Sequence, residues 1–304
     1  MLRADHRDTP SWLLLAAMLL SFLAAQYHHR FTVDPIRAAP AIASLMTLGG
    51  ALAIGRYTAR PRLAAGATAF LQMTLFTLFG VVLAYALAAN SGPLWDARLA
   101  AADRAIGFDW PVVLALLDTC PPVIWLLGLA YHSLTVQMIV VIVALSGMGR
   151  FNTLRTMVCA AILSGFFTIL ISGLTPAMGN LFDPARYVHL WPSIAWLEQG
   201  LISGLRDGSL RVLDLTMLMG IVSFPSFHAT LAAIFIWAFG ALPRLALPGR
   251  AWAILTIVAT PVFGGHYGVD VIMGIILAPP AIIAARHLTR RRQPSHPTGS
   301  AMPA

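Results

Sequence analysis

The amino-acid sequence predicts an all-α, polytopic membrane protein with about eight transmembrane helices. Of its 304 residues, 58% are hydrophobic and 11% are charged, whereas a soluble domain carries about 25% charged residues. The mean hydropathy is +0.77. Long apolar runs alternate with short clusters of arginine, as expected for helices that cross a bilayer and for the loops between them. This composition excludes a water-soluble globular chain and a disordered one.

Eight apolar intervals mark the candidate spans. They are residues 9–29, 38–55, 63–95, 119–149, 156–182, 215–243, 251–269 and 271–285. The last interval is short, so we expect its helix to begin near Tyr267, to reach Ala285 and to kink at Pro279 and Pro280. The first interval also resembles a signal peptide. We predict a retained helix there, because its removal would leave an odd number of spans.

The arginines orient these spans. They precede the first interval and follow every even-numbered one, at Arg3, Arg7, Arg56, Arg60, Arg62, Arg150, Arg155, Arg244, Arg250, Arg286, Arg290, Arg291 and Arg292. Because cytoplasmic loops are enriched in basic residues, both termini are predicted to be cytoplasmic. We expect the protein to lie in the inner membrane of a bacterium.

Two loops on the opposite side are long and contain amphipathic patterns. In residues 90–122, one apolar face is formed by Trp95, Leu99, Ala102 and Ile106. Asp96 and Asp103 lie mostly elsewhere on that helix. In residues 176–222, the corresponding face is formed by Ile194, Leu197, Leu201 and Leu205, and a turn follows at Asp207-Gly208. Both stretches predict helices at the membrane surface.

Several classes of chemistry are excluded or disfavoured by composition. All 20 basic residues are arginine, so neither a Schiff-base lysine nor a phosphate-binding P-loop lysine exists. The two cysteines, Cys120 and Cys159, form no zinc or redox motif. The net charge of +8 comes from the loop clusters, so it predicts no nucleic-acid partner.

Most of the nine histidines have structural explanations. His6, His287 and His296 lie in terminal segments, and His28 and His29 end the first span as interfacial anchors. His132 is expected to make a polar contact between helices. His189 in the second long loop is ambiguous.

His228 and His266 form a different pattern. His228 belongs to Ser223-Phe224-Pro225-Ser226-Phe227-His228 at the start of span six, and His266 lies at the turn between spans seven and eight. The arginine pattern places both at the same membrane face. They are therefore able to line one cavity.

Asp270 follows His266 by four residues, which places both side chains on one face if the last helix has begun. A carboxylate bonded to one imidazole nitrogen leaves the other with its lone pair outward, as in a nucleophile or base. His228 is then a candidate general acid. Ser226 is able to cap the following helix, whose N–H groups form an anion site. This set fits phosphoryl transfer without metal, although His228, His266 and Asp270 are also possible metal ligands.

These motifs resemble those of the type 2 phosphatidic acid phosphatase superfamily. Pro225-Ser226-Phe227-His228 is similar to the second family motif, and the segment from His266 to Asp270 is similar to the core of the third. The match is closer to the inositol phosphorylceramide synthase-like, or inositolphosphotransferase, branch. It implies a six-helix lipid-phosphatase-like core at 63–288, preceded by two added helices at 1–62. The Pro/Ser/Gly-rich composition of residues 293–304 predicts a disordered cytoplasmic tail at 289–304.

The resemblance also implies roles for single residues. His266 would attack phosphorus, Asp270 would orient it, His228 would protonate the leaving group, and Ser226 would hold phosphate oxygens. The phosphatases of the family have basic residues that this chain lacks: residues 175–180 read Thr-Pro-Ala-Met-Gly-Asn, and Thr260 stands where an arginine is expected. We therefore predict that a loop arginine, Arg186 in preference to Arg206 or Arg211, binds phosphate.

Two functions follow as expectations. The first is a metal-independent, cofactor-free lipid phosphatase or phosphoalcohol transferase, which acts through a phosphohistidine at the outer face on a lipid phosphate or phospholipid, with water or an alcohol as acceptor. The second is a catalytically degenerate transporter or scaffold, which the missing arginines favour. The sequence leaves the lipid, the acceptor and the oligomeric state open.

Overall fold

The computed structural model describes residues 7–29 and 31–290. In that part of the chain, twelve α-helices follow one another: α1 Thr9–His29, α2 Pro35–Tyr57, α3 Pro61–Ala89, α4 Asp96–Ala105, α5 Trp110–Asp118, α6 Pro121–His132, α7 Leu134–Gly147, α8 Phe151–Leu174, α9 Ile194–Asp207, α10 Phe227–Phe239, α11 Ala246–Gly264 and α12 Gly268–Thr289. The expectations for His6, for the side chains of His28 and His29 and for residues 291–304 lie outside the described residues.

The all-α polytopic fold class is confirmed. Five helices are long and apolar enough to cross a membrane, namely α2, α3, α8, α11 and α12. A sixth candidate is the pair α5 and α6, which bends by 112° at its break. Shorter apolar helices occupy the remaining predicted intervals at residues 9–24, in α7 and in α10. Each of the eight intervals therefore contains an apolar helix.

Two predicted spans are divided or shortened. Ser133 separates α6 from α7 inside the fourth interval. In the sixth interval only Phe227–Phe239 is helical, because Pro225 has no N–H group to donate and its ring would clash with the preceding turn of a helix. Residues 214–226 are instead mostly irregular and reach the cavity described below.

The core of the bundle surrounds α8 and α10. Helix α10 packs against α8, α11 and α12, while α3 packs against α1, α2 and α8. Phe235, Met157 and Ile162 are fully buried at this centre. A two-residue parallel pair, β1 Thr32–Val33 with β2 Val212–Leu213, joins the loop after α1 to the loop after α9.

Both amphipathic helices exist, but their predicted apolar faces are wrong in part. In α4, Leu99 is buried together with Asp103, while Ile106 is 53% exposed. In α9, the buried face is Ala195, Glu198, Ile202 and Leu205, while Leu197 is 66% exposed. The physical reason is that both helices turn an acidic side chain inward, and apolar side chains at the surface of a membrane protein face lipid at little cost.

Candidate active site

A cavity of about 270 Å³ lies where α11 ends and α10 and α12 begin, and both histidines line it. His228 is the second residue of α10, and His266 lies in the turn between α11 and α12. Their ring centroids are 6.4 Å apart. The structure thus brings together two imidazoles that are 38 positions apart in the chain.

The turn that carries His266 depends on Gly265. This residue ends α11 with φ 72°, in the left-handed region that favours glycine. A Cβ atom here would lie 2.4 Å from the Cβ of Ala195, so a side chain would displace α9. The carbonyl of Gly265 accepts a 2.6 Å hydrogen bond from the amide of Asn180, which joins the 175–180 segment to the histidine turn.

His266 is held at one ring nitrogen by two acceptors. Its Nδ1 lies 3.1 Å from the carbonyl oxygen of Ser223 and 3.4 Å from Oδ2 of Asp270. Because neither oxygen is able to donate, Nδ1 must carry the proton, and Nε2 keeps its lone pair. The predicted pairing of His266 with Asp270 is therefore present, with Ser223 as an additional partner that sequence reasoning missed.

Asp270 is fully buried and is itself fixed by donors. Its Oδ2 accepts a 2.9 Å bond from the amide of Tyr267 and a 3.0 Å bond from the hydroxyl of Ser223. These bonds stabilise a carboxylate in an apolar setting. The first turn of α12 thus presents a rigid acceptor to His266.

His228 is held by a ring contact and by the start of α10. Its imidazole stacks on Tyr131 with centroids 4.8 Å apart and planes at 15°. Ser226 caps α10 by accepting from the amide of Ala229 at 3.3 Å, and the Ser226 amide donates to the Asp270 carbonyl at 2.9 Å. Ser226 is buried and does not line the cavity. Its phosphate-binding role stays a prediction.

Two acidic residues of α4 position the histidine turn, and sequence reasoning missed both. Asp103 accepts from the amides of Gly268 and Val269, each at 2.8 Å, and from Nε1 of Trp110 at 2.6 Å. Asp96 accepts from the amides of Met178 and Gly179 and from the hydroxyl of Tyr267, at 3.0 Å in each case. The only sequence signal was an acidic pair on a helix that also carries a regular apolar face.

We expect Asp103→Asn to destabilise the protein and to lower turnover. The amide would turn at least one N–H toward donors that now share a carboxylate, at a cost of roughly 2–4 kcal/mol. Thermal unfolding in detergent should show a melting temperature lower by about 5 °C or more. Asp109→Asn is the matched control, because that exposed carboxylate only caps α5 through a 3.4 Å bond. An unchanged melting temperature for Asp103→Asn would contradict the positioning role.

The three candidate phosphate-binding arginines do not line the cavity. Arg186 is exposed in a short 3-10 helix and pairs with Asp183 at 3.5 Å. Arg206 donates to Ser91 and Gly92. Arg211 donates from Nη1 to the carbonyl group of Leu205 in α9 and to that of Leu210. Phosphate binding by Arg186 therefore stays a prediction that the geometry does not support.

Thr260, which stands where the resemblance implies an arginine, is fully buried, and its hydroxyl donates to the carbonyl of Thr256. Among the described residues, the cavity has no arginine lining it. It does contain a carboxyl group, that of Glu198, which sequence reasoning did not consider. Burial raises the pKa of Glu198 to about 8.

A second cavity of about 330 Å³ adjoins the first and is mainly apolar. Met73, Phe76 and Ile169 contribute to its wall, and His228 lines both cavities. His228 therefore lies at the boundary between a polar compartment and an apolar one. Within the described residues, no group of three or more His, Cys, Asp or Glu side chains has an arrangement that fits a metal ion.

A helical membrane bundle with two facing imidazoles, one paired with a carboxylate, defines an integral membrane protein with a candidate phosphoryl-transfer site. The model of the PAP2 superfamily matches residues 97–284, more than half of the chain. The chain thus belongs to the PAP2 superfamily, and its membership is consistent with a lipid phosphatase. Comparisons with curated proteins and with solved structures found no match.

Proposed function

We propose that this protein is a lipid phosphotransferase or phosphatase that acts through a phosphohistidine at His266. The observation that carries the proposal is the pair of acceptors at Nδ1 of His266, which leaves Nε2 with its lone pair. Since Nδ1 is fully engaged, Nε2 is the nitrogen available to attack phosphorus.

The remaining side chains have complementary roles in this proposal. Nε2 of His266 attacks, the bond between phosphorus and the leaving oxygen breaks, and His228 gives that oxygen a proton. The negative charge of the bound phosphate stabilises the protonated imidazole that this step needs. In the second step neutral His228 takes a proton from water or an alcohol, which displaces His266.

The apolar cavity supports a lipid substrate. Its contact with His228 would place acyl chains beside the group that protonates the leaving oxygen, so a lipid alcohol leaves and the phosphate remains on His266. The distribution of arginines supports an active site on the extracytoplasmic side with both termini cytoplasmic. An alcohol acceptor, as in the inositolphosphotransferase-like branch, would then compete with water.

The proposal is tested with purified protein and phospholipids labelled in the phosphate. We expect release of diacylglycerol or of another lipid alcohol, with the label in inorganic phosphate or in a new ester when polyols are added. Chelators should leave the rate unchanged, because the nucleophile and acid are both imidazoles. No turnover of any phospholipid or lipid phosphate, or complete inhibition by a chelator, would contradict the proposal.

The second candidate is a membrane protein that has lost catalysis. It is favoured by the lack of arginine around the cavity in the described part of the chain, because phosphoryl transfer needs positive charge near phosphorus. Lipid flux into proteoliposomes that persists in a His228/His266 double alanine variant would favour this candidate. Turnover of a phosphate-containing lipid that disappears with the two histidines would exclude it.

A further inference from the structure

Glu198 is a buried carboxyl group in the same cavity as the two histidines, and the proposed chemistry does not use it. It lies in α9, is 9% exposed and lines the cavity with His228 and His266. Its neighbours on the buried face of α9 are apolar: Ala195, Ile202 and Leu205. None of the described side chains or backbone groups makes a hydrogen bond or an ion pair with its carboxyl group.

Burial of an ionised carboxylate without a partner costs free energy, and the protein places no cationic side chain beside this one. No arginine among the described residues lines the cavity, and the chain has no lysine. Removal from water accordingly raises the pKa of Glu198 to about 8. A positively charged ligand group in the cavity would supply the missing partner and favour the ionised carboxylate.

The charges of the cavity select among phosphate-containing lipids. A phosphate monoester carries close to two negative charges and would be repelled by an ionised Glu198. A zwitterionic phosphodiester carries one negative charge on the phosphate and one positive charge on the ammonium group. Its phosphate fits between the histidines, while its ammonium group complements the carboxylate. A volume of about 270 Å³, at the lower end for ligand pockets, suits a headgroup whose acyl chains lie elsewhere.

We propose that Glu198 binds the ammonium group of a zwitterionic phospholipid, so that the phosphoryl donor is an aminoalcohol phosphodiester. This inference rests on the proposed function and names the substrate class of the same site. Nε2 of His266 would form a bond to phosphorus as the bond to the diacylglycerol oxygen breaks, and His228 would protonate that oxygen. The phosphoaminoalcohol then remains on His266 until water or an acceptor alcohol takes it, and no oxidant or reductant is needed.

The first test is a binding measurement with purified protein in detergent. The probe is dihexanoyl phosphatidylcholine, whose quaternary ammonium keeps its charge at every pH, and the control is dihexanoyl phosphatidylglycerol. Only the ionised fraction of Glu198 binds the cation, and that fraction rises from about a tenth to about nine tenths between pH 7 and pH 9. We therefore expect the apparent Kd for the choline lipid to fall by about tenfold over this range.

The contribution of Glu198 to the pH dependence of binding must be distinguished from that of other titratable groups at or near its carboxyl group. They are Tyr85, Tyr131, His132, His228 and His266. The pH dependence should persist in single alanine variants of the three histidines and in single phenylalanine variants of the two tyrosines, and it should disappear in Glu198→Gln. Glu198→Asp, which keeps the charge, should retain the dependence with weaker binding.

The failure of this inference is distinguishable from the failure of the proposed function, because binding needs no turnover. His266→Ala loses a contact with the phosphate and should bind the choline lipid more weakly overall, but its binding should still tighten from pH 7 to pH 9, although no donor is consumed. The inference is wrong if the Glu198→Gln variant binds this lipid at pH 9 as tightly as the wild type does. Equal or tighter binding of phosphatidylglycerol by the wild type would also overturn it. A melting temperature at or above that of the wild type would show that the glutamine variant is folded.

Discussion

Replacement of His266 by alanine is expected to reduce turnover of any phosphate-containing lipid by about 10⁴-fold or more, which is typical for the loss of a covalent nucleophile. The residue is 6% exposed, and its ring fills the turn between α11 and α12. Alanine removes Nε2, so no covalent intermediate is able to form at this position. The measurement is release of label from phospholipid under single-turnover conditions.

The covalent intermediate gives this prediction a second readout. The wild type is mixed with labelled donor and the reaction is stopped rapidly without acid, because phosphohistidine is acid-labile. The wild-type protein should then carry the label, and the His266→Ala protein should carry none. The matched control is His287→Ala, because His287 is an exposed histidine near the opposite end of α12. Label that remains on the His266→Ala protein would contradict the assignment of the nucleophile.

The order of the spans could be predicted because it depends on local information. An apolar interval of about 20 residues has few alternatives to a membrane helix. Each of the eight intervals contains an apolar helix, and five of them contain one that is long enough to cross a membrane. The pairing of His266 with Asp270 was also local, because four residues separate two positions on one helical face. Such features need no knowledge of the tertiary fold.

The residues that complete the site depend on contacts between distant parts of the chain. Asp103 meets the amide of Gly268 across 165 positions, and no periodicity in α4 reveals that contact. In α9 the apolar side chains predicted one face, whereas Glu198 lies on another that faces the cavity. A carboxyl group that is buried against the hydrophobic pattern is the kind of exception expected where function constrains the structure.

Asp270→Asn is expected to lower turnover by about 10²–10⁴-fold, because the substitution removes a negative charge beside His266 without changing the shape of its pocket. The bonds from Ser223 and from the amide of Tyr267 and the contact with Nδ1 of His266 all reach Oδ2, whereas Oδ1 has no hydrogen-bond partner among the described residues. An asparagine oxygen at the Oδ2 position keeps these contacts and leaves the amide nitrogen buried without an acceptor. The neutral amide does not stabilise the positive charge that the imidazole gains when Nε2 attacks phosphorus.

The measurement is kcat with a labelled donor, together with thermal unfolding of the same preparation. Asp270 is fully buried, so the variant should also melt at a lower temperature. The rate must therefore be compared below the unfolding transition, where the folded fraction is equal. Asp183→Asn is the control, because that exposed carboxylate contacts only its own short 3-10 helix, through the amide of Ala185 and the side chain of Arg186. A kcat for Asp270→Asn within threefold of the wild type would show that the Ser223 carbonyl alone orients the nucleophile.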